Sequence, residues 1–281
     1  MPRGARGTVA SESILAAYHI RLDAEHLAGN GGIGRYVFLP GDRSRAARIA
    51  ERFEDAQTLD NPRGLTAHLG RLAGVDVLSI SSGMGPSSVE IVVHELLLAG
   101  ARRIVRVGSS GSLNAAVPPG SVVIATSAVR DESTSDRWVP KDVPAVAHPA
   151  AVAAIADGAR AAGLAEHAWL GPVHSKDSLF GREYAVGPRR AENERYMEQL
   201  SAAGVLATEM EASILFVLAA VASAASPTPL SAGSSPVPVQ TAAVLAVYGK
   251  VGSPETRAAE ARAIEVACSG VIAWARADGV L

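Results

Sequence analysis

Apolar runs of strand length recur along the chain and are followed by segments with a helical repeat. Residues 36–39 precede RSRAARIAERF, residues 75–80 precede SSVEIVVHELLLAG, and residues 103–107 run into a glycine turn. Further apolar runs of strand length are residues 122–125, 169–174 and 243–247. This alternation predicts an α/β domain in which helices pack on a mixed or mostly parallel sheet.

The two ends of the chain and one internal segment differ from this pattern. Residues 1–12 carry arginines but few apolar side chains, which predicts a disordered leader before a single domain at residues 13–281. Residues 223–240 are rich in serine and proline, so this segment cannot continue a helix and is predicted to be a loop. The last helix, PETRAAEARAIEVACSGVIAWARADG, has proline near its start and glycine near its end.

Composition narrows the class of protein. The chain has 281 residues, 48% of them hydrophobic, a formal net charge of -2 and one cysteine, Cys268. A chain of this size buries a substantial core, and its charge and cysteine content argue against a nucleic-acid partner and a disulfide scaffold. No apolar run is long enough to span a bilayer, so a membrane partner is not expected either. These features predict a cytoplasmic enzyme.

Two glycine turns carry arginines at the ends of predicted strands. In the first, LPGDRSR, Gly41 follows a predicted strand and Arg45 lies in the first turn of the next predicted helix. In the second, Arg106 lies inside an apolar strand ahead of the turn at residues 108–111. Backbone N–H groups and guanidinium groups in this arrangement bind anions. A solvated Arg45 and a structural ion pair at Arg106 are the alternatives. A third turn, at residues 81–88, either adds donors or allows close packing.

A pair of carboxylates marks a third candidate region. Glu209 and Glu211 flank Met210 in AGVLATEMEASILF, where an apolar strand gives way to an apolar helix. Such carboxylates bind sugar hydroxyls, although a solvated glutamate beside a core methionine is the simpler alternative. The chain has no GxxxxGKS, HExxH or GxSxG motif and no Cys/His set of metal spacing, so no metal site is predicted.

Taken in order, these motifs resemble the nucleoside phosphorylase superfamily and, within it, the uridine phosphorylases. The similarity runs from about residue 17 to the last helix through LPGDRSR, SSGMGPSS with HELLLAGARRIVRVGSSG, and ATEMEAS. The resemblance implies a three-layer α/β/α sandwich with a mixed, mostly parallel central sheet, and a homohexamer made of homodimers. It implies cleavage of a nucleoside by inorganic phosphate to a free base and a pentose 1-phosphate, with no cofactor.

The resemblance also assigns roles to individual residues. Phosphate contacts would come from Gly41, Arg45, Arg63, Arg106 and Ser109. Arg63 resembles an arginine that reaches a neighbouring subunit's phosphate. Ribose contacts would come from Ser109, Met210, Glu211 and His19, the last crossing the dimer to the 5'-hydroxyl. Glu209 is predicted to be structural or to lie on the base side, and the catalytic assignments are Arg106, Glu211 and Arg182.

The segment expected to contact the base departs from the family pattern. Within residues 174–184, Leu179 stands where a stacking phenylalanine is expected and Arg182 where a glutamine is expected. Arg182 is predicted to donate to a uracil carbonyl, with Phe180 or Tyr184 as apolar cover and Gly108 as a further base contact. Residues 246–250 contain no carboxylate to protonate a purine, which favours a pyrimidine. A purine phosphorylase, a hydrolytic nucleosidase and a non-catalytic nucleoside-binding homologue are the alternatives.

Overall fold

The computed structural model describes residues 18–224 and 238–281. The predicted leader at residues 1–12 lies outside the described residues, as does most of the predicted Ser/Pro loop, residues 225–237. Within the described ranges no helix combines the length and the apolar content that crossing a bilayer requires.

The described residues form ten strands and seven α-helices. The strands are β1 (Tyr36–Pro40), β2 (Glu54–Leu59), β3 (Ala67–Leu72), β4 (Val75–Ile80), β5 (Arg103–Ser112), β6 (Val122–Asp131), β7 (Ala145–Val146), β8 (Ala168–Lys176), β9 (Ala207–Glu209) and β10 (Gln240–Tyr248). The helices are α1 (Ala24–Leu27), α2 (Arg43–Ala50), α3 (Pro86–Leu98), α4 (Pro149–Ala161), α5 (Arg190–Ala202), α6 (Ala212–Ala224) and α7 (Pro254–Ala277). A π-helical turn, Leu179–Glu183, follows β8.

All the described strands belong to one mixed sheet. β5 pairs in parallel with β1 and β10, β1 with β4, and β8 with β6 and β9. The antiparallel pairings are β2 with β3, β3 with β4, β5 with β9, and β6 with β7 and β10. The mixed sheet is confirmed, but only half of the pairings among described strands are parallel, fewer than predicted. Since β5 bonds to both β9 and β10, strands β5, β10, β6, β8 and β9 also close into a ring.

Helices cover both faces of this sheet. Successive side chains of a strand point to opposite faces, so β1 contributes to two separate cores. Val37 and Leu39 pack in the core that includes α3 and α6, whereas Tyr36 and Phe38 pack in the core that includes α2, α4 and α7. All four side chains are buried. This arrangement confirms the predicted three layers.

Two glycines allow α4 and α7 to pack closely on the second face. A Cβ atom at Gly158 would lie 2.2 Å from the backbone nitrogen of Gly270, and one at Gly270 would lie 2.5 Å from Cδ1 of Ile155. Neither distance is compatible with a side chain. Close packing of these helices fixes the position of α7, whose first turns flank the strand ends described next.

Candidate active site

A cavity of about 930 Å³ lies where several strands end. The residues that follow β1 and β10, the last residues of β5, β8 and β9, and the start of α6 all line it. Open α/β sheets bind ligands at this place, because the turns after the strands are free to carry function. Seven of the residues predicted from sequence line the cavity together: Gly41, Arg45, Arg63, Arg106, Ser109, Met210 and Glu211.

The guanidinium group of Arg106 is buried between two carboxylates. Its Nε donates to Oε2 of Glu209 at 3.2 Å, and its Nη2 is paired with Oε2 of Glu211. Its Nη1 is buried and has no hydrogen-bond partner among the described residues. Buried donors in folded proteins are nearly always satisfied, so this nitrogen marks a place where a ligand atom completes the site.

The two carboxylates have different surroundings. Glu209 accepts hydrogen bonds from the backbone nitrogens of Glu211 at 2.8 Å and Ala212 at 2.9 Å, so it caps the start of α6. Glu211 accepts from the backbone nitrogen of Gly85 at 2.7 Å and from Arg106. Burial raises the pKa of Glu211 more than the positive charge of Arg106 lowers it. Glu209 therefore joins the start of α6 to Arg106, and Glu211 joins the β4–α3 turn to Arg106.

Arg45 is held at the cavity wall by a network that the sequence did not indicate. Its Nη1 donates to the carbonyl of Val107 at 3.1 Å, and its Nη2 donates to the hydroxyl of Tyr248 and to Oε1 of Glu260, both at 2.9 Å. Its Nε is buried and without a partner among the described residues. The hydrogen bonds from Tyr248 and Arg45 lower the pKa of Glu260 although partial burial raises it, so Glu260 stays ionised.

Apart from His19, the remaining predicted phosphate and ribose residues reach the cavity with less burial. Ser109 and Met210 are half-buried on its wall, and Gly41 packs so closely that a Cβ there would lie 3.1 Å from the carbonyl oxygen of Gly83. Arg63 is exposed, and its guanidinium carbon lies 5.2 Å from the centre of the Tyr18 ring. Arg63 thus borders the cavity of its own chain.

His19 does not line the cavity of its own chain. Its Nδ1 lies 2.5 Å from Oε1 of Glu95 on α3, and its backbone nitrogen donates to Oε2 of Glu95 at 3.1 Å. Its carbonyl accepts a hydrogen bond from Asn61 at 2.7 Å. The imidazole is consequently fixed on α3, with about a quarter of the side chain exposed.

Two of the residues predicted to contact the base lie outside the cavity lining. The guanidinium of Arg182 pairs with Asp131, from its Nε to Oδ2 at 2.7 Å, and with Oδ1 of Asn193 at 2.6 Å, and it stacks over Tyr196 at 4.3 Å. Phe180 is 66% exposed. Neither side chain borders the cavity with the phosphate and ribose candidates, and a base contact by either stays a prediction.

Gly108, the third predicted base contact, is also absent from the cavity lining. A Cβ at Gly108 would lie 2.8 Å from Leu245 and 3.0 Å from Nη2 of Arg106, so this glycine makes room for the arginine. Where Arg182 was predicted, the end of β8 brings Lys176 to the cavity and the turn after β8 brings Glu183. A lysine at the end of a predicted strand was a sequence signal for Lys176, similar to the charged residue within a strand that indicated Arg106.

The cavity thus gathers two buried guanidinium groups, each with one nitrogen unpartnered among the described residues, and the carboxylate of Glu211. Such a set of groups suits an anion beside a hydroxyl-bearing ligand. The chain belongs to the phosphorylase superfamily, whose family model matches residues 35–226.

Proteins of known activity are similar over most of the chain. A uridine phosphorylase of Treponema pallidum is 37% identical over 205 residues, which are 73% of this chain and 76% of that protein. A guanosine phosphorylase of Halorubrum lacusprofundi is 30% identical over 193 residues, 69% of this chain and 75% of that protein. The crystal structure of uridine phosphorylase from Vibrio fischeri superposes with a TM-score of 0.70 at 25% identity, covering 89% of this chain and 96% of that one.

Proposed function

We propose that this protein is a pentosyltransferase that cleaves uridine or a uridine-like nucleoside with inorganic phosphate, giving the free base and a pentose 1-phosphate. The observation that carries the proposal is the single cavity in which Arg106, with an unpartnered Nη1, lies against Glu211. The guanidinium group of Arg106 suits an oxyanion, and the carboxylate of Glu211 suits sugar hydroxyls. The family and the similarity to the uridine phosphorylase of Treponema pallidum support the same activity.

Inorganic phosphate is the proposed anion. Among the described residues, one buried nitrogen of each of two arginines has no partner: Nε of Arg45 and Nη1 of Arg106. Guanidinium N–H groups form short, charge-assisted hydrogen bonds to phosphate oxygens and stay protonated at any physiological pH. Ser109 and Gly41 add a hydroxyl and a backbone N–H on the same wall, and Arg63 adds positive charge at its rim.

The sugar is proposed to lie between phosphate and Met210, with its hydroxyls on Glu211. During cleavage a phosphate oxygen forms a bond to C1' while the bond from C1' to the base breaks, and the base leaves with the electron pair. Positive charge develops on the sugar in this transition state, so the phosphate dianion beneath C1' and the carboxylate of Glu211 both stabilise it. The chain's own groups position the reactants, and no cofactor is part of the proposal.

A purine nucleoside is the second candidate substrate. The observation in its favour is the similarity to a guanosine phosphorylase, set against uridine phosphorylases with higher identity. A pyrimidine is favoured because the turn after β10 offers no carboxylate to protonate a purine.

The proposal includes the assembly and the compartment. We propose a homohexamer built of homodimers in the cytoplasm, where His19 of one subunit contacts the ribose bound to its neighbour. Support comes from the position of His19, which is fixed on α3 and partly exposed but does not border its own cavity. The single cysteine, Cys268, supports a reducing compartment.

One assay tests the activity. Uridine, thymidine, inosine, guanosine and adenosine are each incubated with the protein, with and without phosphate, and release of the base is followed by chromatography. Release of uracil or thymine only with phosphate is the expected result. Release without phosphate would identify a hydrolytic nucleosidase, preferential release of a purine base would identify the second candidate, and no release from any nucleoside would leave a non-catalytic binding protein.

A further inference from the structure

Lys176, the last residue of β8, is the most deeply buried ammonium group in the cavity wall, with 1% of the residue exposed. Its Nζ donates to the hydroxyl of Thr208 and to the carbonyl of Glu209, both at 3.0 Å, and pairs with Oε2 of Glu183 at 2.8 Å. An ammonium group has three N–H donors, and three acceptors surround this one. Lys176 is therefore saturated by the protein, and its contribution to a ligand is the positioning of Glu183.

Glu183 presents its other carboxylate oxygen to the cavity. Oε2 is held by Lys176, whereas Oε1 accepts no hydrogen bond from the described residues. Gly111, at the end of β5, leaves the space for this oxygen, because a Cβ there would lie 2.6 Å from Oε1. The cavity wall thus contains a fixed acceptor whose charge is balanced by a saturated ammonium group.

The turn after β8 decides which of two neighbouring charged residues reaches the cavity. Arg182 does not border the cavity, because it pairs with Asp131 and Asn193. Glu183 borders the cavity, where it pairs with Lys176. The π-helical geometry of this turn separates the two side chains, and such turns occur often at functional sites. Because both are anchored by ion pairs, the inward group is a carboxylate rather than a guanidinium.

We propose that Glu183, positioned by Lys176, recognises the base by accepting a hydrogen bond from a ring N–H. This inference rests on the proposed nucleoside phosphorylase activity and specifies the substrate class of that same site. Uracil, thymine and the 6-oxopurines carry an N–H on the ring edge away from the sugar. Cytosine and adenine carry a bare ring nitrogen there, whose lone pair faces the carboxylate without a proton between them. Oxo bases are accepted and amino bases are rejected.

The ion pair between Lys176 and Glu183 also explains how a carboxylate can lie beside a base that leaves with negative charge. A free carboxylate beside the base would oppose the negative charge that develops on it as the glycosidic bond breaks. Lys176 compensates the charge of Glu183, so the pair reads the N–H without adding net negative charge. This is why the saturated lysine, which makes no ligand contact of its own, is part of the recognition.

Glu183→Gln tests the inference with little change in shape. Glutamine offers both an acceptor and a donor, so the variant can donate to the ring nitrogen of cytosine. We expect the ratio of kcat/KM for uridine to that for cytidine to fall by at least about tenfold. The exposed carboxylate of Glu192, on α5 and paired only with Arg189, provides the control variant Glu192→Gln, which should keep the wild-type ratio. A merely structural Glu183 would lower both activities by the same factor, and that result would overturn the inference.

Binding of free bases provides a readout that does not depend on turnover. Uracil should raise the melting temperature of the wild-type protein in the presence of phosphate, whereas 3-methyluracil and cytosine should not, and Glu183→Gln should remove the difference. Equal stabilisation by uracil and 3-methyluracil would contradict the role of Glu183. If the wild type released no base from any nucleoside, the proposed function would fail, and these binding measurements would still decide the role of Glu183.

Discussion

At the scale of single residues, Arg106 combines a structural and a ligand-binding role. Its Nε and Nη2 are occupied by Glu209 and Glu211, and its Nη1 is left for a ligand. Removing the side chain would leave two buried carboxylates uncompensated, at a cost of roughly 3–5 kcal/mol. An Arg106→Ala variant that lost activity could therefore have lost its fold, its phosphate contact or both. A substitution of Arg106 that keeps the positive charge is more informative.

We expect Arg106→Lys to lower kcat/KM for phosphate by about a hundredfold or more, since a single ammonium group cannot contact both carboxylates and the anion as a planar guanidinium does. Steady-state kinetics with varied phosphate measure the effect. Arg103→Lys is the matched control: Arg103 is equally buried in β5 but pairs with Asp278 outside the cavity lining. A similar loss of phosphate dependence in both variants would contradict the assignment of Arg106.

The sequence predicted one half of the site better than the other. Arg106 and Glu211 were recognisable because charged residues within or beside apolar strands need partners, and strand ends are where ligands bind. Which of Arg182 and Glu183 borders the cavity was not recognisable, because it depends on the path of one turn and on ion pairs with Asp131 and Lys176. These partners are distant or on neighbouring strands, and no local pattern encodes them.

At the scale of elements, the pair between Arg45 and Glu260 joins α2 to α7 across the end of β10. Glu260 also receives a hydrogen bond from Tyr248, and its pKa is lowered. A carboxylate whose pKa is lower in the folded state stabilises the protein above its unfolded pKa, about 4.3, and loses this contribution as the pH falls through its folded pKa. The contact between the two helices is thus sensitive to acid.

We expect Glu260→Gln to reduce the free energy of unfolding by roughly 1.5–3 kcal/mol at neutral pH, because it weakens a charge-assisted hydrogen bond to Arg45. The difference from wild type should stay constant above the unfolded pKa of a glutamate, about 4.3, and shrink as the pH falls below it towards the lowered folded pKa of Glu260. Urea titrations at a series of pH values measure it. A difference that grew on acidification would show that Glu260 does not have a lowered pKa.

The close packing of α4 on α7 gives a prediction about stability that depends on side-chain volume alone. We expect Gly158→Ala to destabilise the protein by about 1–3 kcal/mol or more, although alanine favours a helix, because the added Cβ meets the backbone of Gly270. Thermal unfolding measures the loss. Asp157→Ala, at an exposed neighbouring position on α4, should change the stability far less. If both variants melted like the wild type, the close approach of these helices would be wrong.

Elements differed in how clearly the sequence encoded them. β1, β4 and β5 are buried on both faces and mainly apolar where they cross the core, and they were predicted. β2 was not predicted, because it lies at the sheet edge with nearly all its residues exposed and its sequence, EDAQTL, lacks an apolar face. α5, RAENERYMEQLSA, was missed for a related reason, since only Asn193 and Leu200 of its residues are buried.

At the scale of the whole molecule, the sheet closure and the placement of His19 bear on whether one chain is sufficient for catalysis. β5 and β8, both strands of the ring, bring Arg106, Ser109 and Lys176 to one cavity. His19, the predicted contact of the ribose 5'-hydroxyl, is instead fixed to Glu95 on α3. If its predicted role is correct, the residue must serve a neighbouring subunit, and each active site is shared.

Shared sites make complementation possible between two impaired variants. We expect His19→Ala and Arg106→Lys each to lose most activity, and a mixture of equal amounts that exchanges subunits to recover about a quarter of the wild-type activity. The reason is symmetry: half of the dimers are mixed, and one of the two sites in a mixed dimer combines an intact Arg106 with the intact His19 of the other chain. Two affinity tags isolate the mixed species, so its activity is measured directly. Mixed dimers without recovered activity would place His19 in the site of its own chain or outside any site.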